Sequence, residues 1–238
     1  MHPEAVALKI LPMRRIREHT SAFTLIELLV VMTLIAILLG IGYPAFTSVM
    51  EQARKTQAKN EEQQIVAAVN AYYTDYGKYP LSAGTTVDTT YGSGGTSNGE
   101  LFYTLRAVAG GIMNAADAAN PRKIVFIQPP VSKDQTNPRS GIKTSDSTWY
   151  DPWGSQYNIA IDGNYNNIDR APNYTDLAGS TYATATDTSG DVGVRTGVIA
   201  WSFGKNGVLG GGPAAAGFTS EGGSANIFSA SGDVISWQ

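Results

Sequence analysis

Thr20-Ser-Ala-Phe-Thr-Leu-Ile-Glu-Leu-Leu-Val-Val-Met-Thr-Leu-Ile-Ala-Ile-Leu-Leu-Gly-Ile-Gly-Tyr-Pro-Ala-Phe46 decides how the rest of the chain is read. Residues 23–46 carry a single charge, Glu27. As a helix rising ~1.5 Å per residue they reach ~36 Å, enough to cross a hydrocarbon core of ~30 Å with some tilt. The expectation is a membrane-embedded helix. Lys9, Arg14, Arg15 and Arg17 precede it. Basic residues beside a span stay on the cytoplasmic side, which places everything after Phe46 outside the cytoplasm.

Glu27 falls in the first turns of this helix. A carboxylate there is served either by the headgroup layer and the helix N-terminus, which favours an acid, or by a cationic partner within the membrane. The small residues Ser21 and Ala22 come before the apolar run. A secretory signal has the opposite order, with the apolar core first and the cleavage site after it. A cut at this junction would leave the anchor on the mature chain.

Ala22-Phe-Thr-Leu-Ile-Glu-Leu-Leu-Val-Val31 resembles the processing motif of type IV prepilins and type II secretion pseudopilins. The resemblance implies cleavage by a prepilin peptidase between Ala22 and Phe23, methylation of Phe23 and retention of Glu27. The family usually has Gly before the cut, and Ala22 replaces it with another small residue. Cleavage exposes an α-amine that is cationic at neutral pH. Helices packed side by side with an axial offset could set that amine against Glu27 of a neighbour. Breaking such a buried pair costs about 3–5 kcal/mol. The uncut precursor has no such amine, so cleavage would switch assembly on.

The chain has 238 residues, no Cys and 42% hydrophobic residues, which suits one anchor plus one globular domain. Its two histidines, His2 and His19, lie in the expected leader. The mature chain would therefore have no His or Cys, which removes histidine-dependent triads, cysteine nucleophiles and ordinary zinc sites. No enzyme is expected. Without the leader's four basic and two acidic residues the chain keeps 13 basic and 18 acidic, a net charge of −5. No nucleic-acid partner is expected.

Beyond Phe46, apolar residues Met50, Ala53, Ala58, Ile65, Val69, Tyr72 and Tyr76 recur mostly at three- or four-residue steps, with Glu51, Arg54, Lys55, Lys59, Glu61 and Glu62 on the other sides. This reads as one helix from about Phe23 to Tyr73, interrupted near Gly40, Gly42 and Pro44, with Glu51 and Lys55 as a spaced-by-four pair. Gly77 and Pro80 end it. Ser82–Gly99 reads as a polar loop, Glu100–Val108 as a short helix, Ile124–Ile127 as a β-prone run and residues 131–148 as a second polar loop. Tyr157, Ile159 and Ile161 alternate as a strand should, and Asp162-Gly163 is a hairpin-turn signal. Residues 164–195 have no assignment. Val198–Phe203 and the segment ending at Trp237 read as further strands.

Tyr72–Pro80 and Asp151-Pro-Trp-Gly154 resemble the stem exit and the first sheet turn of pseudopilins. The family's calcium loop corresponds to Ser202, Gly204, Asn206, Gly207, Asp233 and Trp237, with Asn206 where an Asp would stand. Loss of that anionic ligand weakens calcium binding. The alternatives are a weak calcium site on Asn206 and Asp233, or a loop held by hydrogen bonds alone and no cofactor.

Together the residues and the resemblance imply an α+β, pilin-like fold: a long N-terminal helix packed on a small antiparallel sheet. The divisions are a leader (1–22), a transmembrane and assembly helix (23–46) with Glu27 and Pro44 as assembly residues, a periplasmic stem (47–80) and a globular head (81–238). The implied role is a structural subunit of a type II secretion pseudopilus or a type IV pilus-like filament. The implied partners are copies of itself, other pseudopilins, a prepilin peptidase, an inner-membrane platform and the inner membrane. The competing readings are a surface pilin for adhesion or DNA uptake, and a membrane-anchored binding module that does not polymerise.

Overall fold

The structure, a computed structural model, describes residues 24–169, 185–186, 192–207, 228 and 232–237. The chain divides into two units, residues 1–48 and 49–238. Helix α1, Leu25–Tyr76, begins in the first and ends in the second. Contrary to the sequence expectation, it is unbroken across Gly40, Gly42 and Pro44. A proline removes one ladder bond and bends a helix, but long helix-forming flanks can carry it through. At the far end Gly77 takes φ +69° and its N–H reaches the Tyr73 carbonyl at 2.8 Å. This is the left-handed stop that glycine permits.

In the second unit α1 contributes Ala58, Ile65, Ala68, Val69 and Tyr72 to a buried core. Helix α2, Gly99–Leu105, adds Leu101, Phe102 and Leu105. A four-stranded antiparallel sheet completes it, in the order β1 (Thr89–Tyr91), β4 (Asn158–Ile161), β7 (Val198–Ser202), β8 (Val234–Ile235). Because strand side chains alternate faces, Ile159, Ile161, Val198 and Ala200 join the helices on one side. Ala160, Ile199, Trp201 and Ile235 form a second cluster on the other, with Phe228 and Trp237 against it. Both faces are thus buried.

Two short pairs flank the sheet. β2 (Gly141–Ile142) pairs with β3 (Trp149–Tyr150), and β5 (Ala185–Thr186) with β6 (Val192–Gly193). The supposed loops therefore hold strands: β1 lies within 82–99 and β2 within 131–148. Conversely, Ile124–Ile127 forms no strand. Its backbone instead meets the end of α2, the Phe126 N–H donating to the Leu105 carbonyl at 2.9 Å. Nor does Asp162-Gly163 close a tight hairpin, since the next strand on β4 is β7. Asp162 instead accepts the Asn167 N–H at 2.6 Å.

The stem is fastened to the head by hydroxyls as well as by its apolar face. Tyr72 donates to the Ala119 carbonyl at 2.6 Å and Tyr76 to Asn120 Oδ1 at 2.7 Å. Asn120 in turn donates to the carbonyls of Thr104 and Ile124, each at 2.8 Å. Glu51 does not pair with Lys55. It accepts the Trp153 indole N–H at 3.0 Å and faces Arg54 at 3.8 Å.

Candidate assembly segment and the loop beside Asp233

Ala22 and Phe23 lie outside the described residues. Immediately after them, Thr24 and Glu27 close a reciprocal hydrogen-bond box. The Thr24 N–H and hydroxyl each donate to Glu27 Oε2 at 2.8 Å, and the Glu27 N–H donates to the Thr24 hydroxyl at 3.3 Å. This is the Thr-x-x-Glu helix-start pattern, in which two orphan backbone donors of the first turn are satisfied at once. The Thr-x-x-Glu spacing is present in the sequence, and the geometry adds this reciprocal box to the helix N-terminus role of Glu27.

Past the box, apolar side chains point outward on every side of α1. Leu25, Ile26, Leu28, Leu29, Met32, Leu34, Ile35, Ile37, Leu38 and Leu39 are all more than half exposed. Thr33 hides its hydroxyl by donating to the Val30 carbonyl at 2.8 Å. A helix that is apolar all round belongs inside a membrane or a bundle, and large unbroken apolar surfaces mark interaction sites. Among the described residues no helix is long and apolar enough to cross a membrane. Pro44 lies inside α1, and its side chain is outside the described set.

The backbone brings the loop after Ser202 next to the segment that carries Asp233. β7 pairs with β8 through Trp201 with Ile235 and Ser202 with Val234. Gly204 takes φ +62° with its α-carbon packed on the Gly232 carbonyl, and a short 3-10 turn runs from Gly204 to Asn206. Asp233 is buried, while the Asn206 side chain is outside the described set. Among the described residues no cluster of three or more His, Cys, Asp or Glu could hold a metal ion.

Gly204→Ala is expected to cost about 2–4 kcal/mol, the sum of left-handed strain and a β-carbon driven into the Gly232 carbonyl. A thermal midpoint lowered by several degrees in the full chain would show it. An unchanged midpoint would mean that the two segments are not packed as described.

Sequence reasoning missed the polar group under this loop. Ser202 donates to Asp151 Oδ2 at 2.5 Å, while Asp151 Oδ1 accepts the N–H groups of Trp153, Gly154 and Ser155 at 2.9, 2.7 and 2.9 Å. Asp151 is the residue that ties the turn after β3 to β7. Burial lifts its carboxyl above the ordinary range, and these donors work against the lift. Glu61 and Glu62, expected on the solvent side of the stem, are buried. Tyr157 donates to Glu61 Oε2 at 2.6 Å and Gln57 to Oε1 at 2.8 Å. The misreading arose because α1 turns a polar strip, and not only its apolar stripe, toward the head.

The prokaryotic N-terminal methylation motif matches residues 19–43. The type II secretion system core protein G of Pseudomonas aeruginosa is 39% identical over 64 residues. Those residues are 27% of this chain and 45% of that protein, so the match spans less than half of the relative's length. No solved structure matches. On these residues the chain is similar to pseudopilins and type IV pilin-like proteins.

Proposed function

We propose that this pseudopilin-like chain is a structural subunit of an envelope filament of the type II secretion or type IV pilus kind. In this reading a prepilin peptidase cuts between Ala22 and Phe23 and Phe23 is methylated. Residues 23–46 then anchor the subunit in the inner membrane with the head in the periplasm. On recruitment by a membrane platform, α1 leaves lipid for a bundle of like helices, including those of other pseudopilins. The observation that supports the proposal is the all-round apolar exposure of α1 within the span of the methylation motif, with one acid held at its start.

Glu27 has two successive jobs here. In the single subunit it closes the box with Thr24. In the polymer its free lone pairs face the α-amine of a neighbouring Phe23, replacing an uncompensated charge by an ion pair in a medium of low dielectric constant.

The direct test is Edman or mass-spectrometric sequencing of the chain from the membrane fraction of its native host. The expected first residue is N-methylated Phe23. A polypeptide that still begins at Met1 would remove the basis of the proposal.

A further inference from the structure

The seat of the stem on the head contains more acid than a structural joint needs. Glu62 is fully buried, and neither of its carboxyl oxygens accepts a hydrogen bond. The Ser202 N–H faces it from β7 and offsets part of the cost while standing outside hydrogen-bond geometry. Asp151, also fully buried, faces it from the turn after β3, and Glu61 is its neighbour on α1. Tyr157, at the entry to β4, donates its hydroxyl hydrogen bond to Glu61. Asp233 sits at the entry to β8, next to Val234, the partner of Ser202. The cation facing Glu62 is Lys59, which is itself partly open to solvent.

An ionised Glu62 would therefore be a desolvated charge among other acids, with one half-solvated lysine for company. Such a state costs several kcal/mol. Asp151 offers no help to a metal ion, because its oxygens already accept four hydrogen bonds. Taking up a proton removes the charge without any new partner.

We propose that this joint is a proton-operated latch: Glu62 rests in it as the neutral acid, and its ionisation loosens stem residues 57–65 from the turn at 151–155 and from β7. Burial, then the charge of Asp151, pushes the Glu62 carboxyl well above its ordinary value, with Lys59 and Ser202 pulling the other way. Burial raises Glu61 as well, and Tyr157 and Gln57 oppose it. A group raised in the folded state keeps a proton that the unfolded chain has lost. Its contribution is complete below the ordinary glutamate value of 4.5 and disappears as pH climbs through the elevated folded one. The joint is thus tight in acid and slack in alkali. The latch lies within residues 49–238 and operates whether or not the chain polymerises.

The test uses the purified full chain in detergent. From pH 5 to pH 8 the urea midpoint of the unsubstituted protein is expected to fall, and Glu62→Gln should at least halve that fall and raise the pH 8 midpoint. Difference infrared spectra at pH 7 should show the carbonyl stretch of a buried, non-hydrogen-bonded carboxylic acid, absent from Glu62→Gln. If Glu62→Gln does not fold, amide exchange of the unsubstituted chain decides. Corrected for intrinsic base catalysis, exchange across 57–65 should rise between pH 5 and 8 relative to 68–72. Equal pH slopes in the two proteins, no acid band, or parallel exchange in both segments would overturn the latch.

Discussion

Glu27→Ala is expected to abolish recoverable filament while the cells still hold processed subunit. Removing one side of a buried ion pair costs about 3–5 kcal/mol, which corresponds to a docking constant lower by roughly two to four powers of ten. Because Glu27 also closes the box with Thr24, alanine alone would confound the start of the helix with the pairing. Glu27→Gln separates them, since an amide serves as well as a carboxylate in this type of helix start but carries no charge. Both substitutions should therefore lose polymer. Shear fractions and ladders from cysteines placed near Phe23 and Glu27 would measure it. A Gln variant that polymerises normally would leave Glu27 as a helix cap and remove its charge from the account of assembly.

The second large effect lies in the head. Asn98 is fully buried at the entry to α2 and knits three elements together. Its Nδ2 donates to the carbonyls of Trp149 and Tyr157, each at 2.9 Å, and its Oδ1 accepts the Trp149 N–H at 3.0 Å. Asn98→Ala strands backbone groups where no water reaches, at about 1–3 kcal/mol apiece. An overall loss of about 3 kcal/mol or more is expected, a large part of the ~5–15 kcal/mol that holds a domain together. The urea midpoint of the full chain should drop with little change in slope. Asn137→Ala, in an exposed turn, should stay within about 0.5 kcal/mol and serves as the control.

The contrast between Asn98 and Ile159 explains how much of this molecule could be read before its structure. Residues whose role is set by local pattern were readable. The three- and four-residue steps along α1, the stop at Gly77, and the alternation of Tyr157, Ile159 and Ile161 all follow from periodicity or turn chemistry. Residues whose role is set by a distant partner were not. Asn98 reads as one more polar residue in a Gly- and Ser-rich loop, and nothing near Glu62 in the sequence announces that Asp151 and Ser202 will close over it. β1 was hidden for the same reason. Three residues, Thr89–Tyr91, carry too little pattern of their own and become a strand only because β4 offers them a ladder. In the assembly segment the motif around Phe23 and Glu27 stood out, whereas the box with Thr24 needed the geometry.

The borders of the sheet bear on how such a subunit can polymerise safely. Among the described residues β1 offers three residues and β8 two, so neither described rim presents the long unpaired row of donors and acceptors that recruits a foreign strand and seeds amyloid-like growth. Copies crowded along a fibre would touch head to head without their sheets fusing. Cohesion would then rest on helix side chains and on Glu27 facing a neighbour's α-amine, and a polymer joined that way can be dismantled without pulling sheets apart.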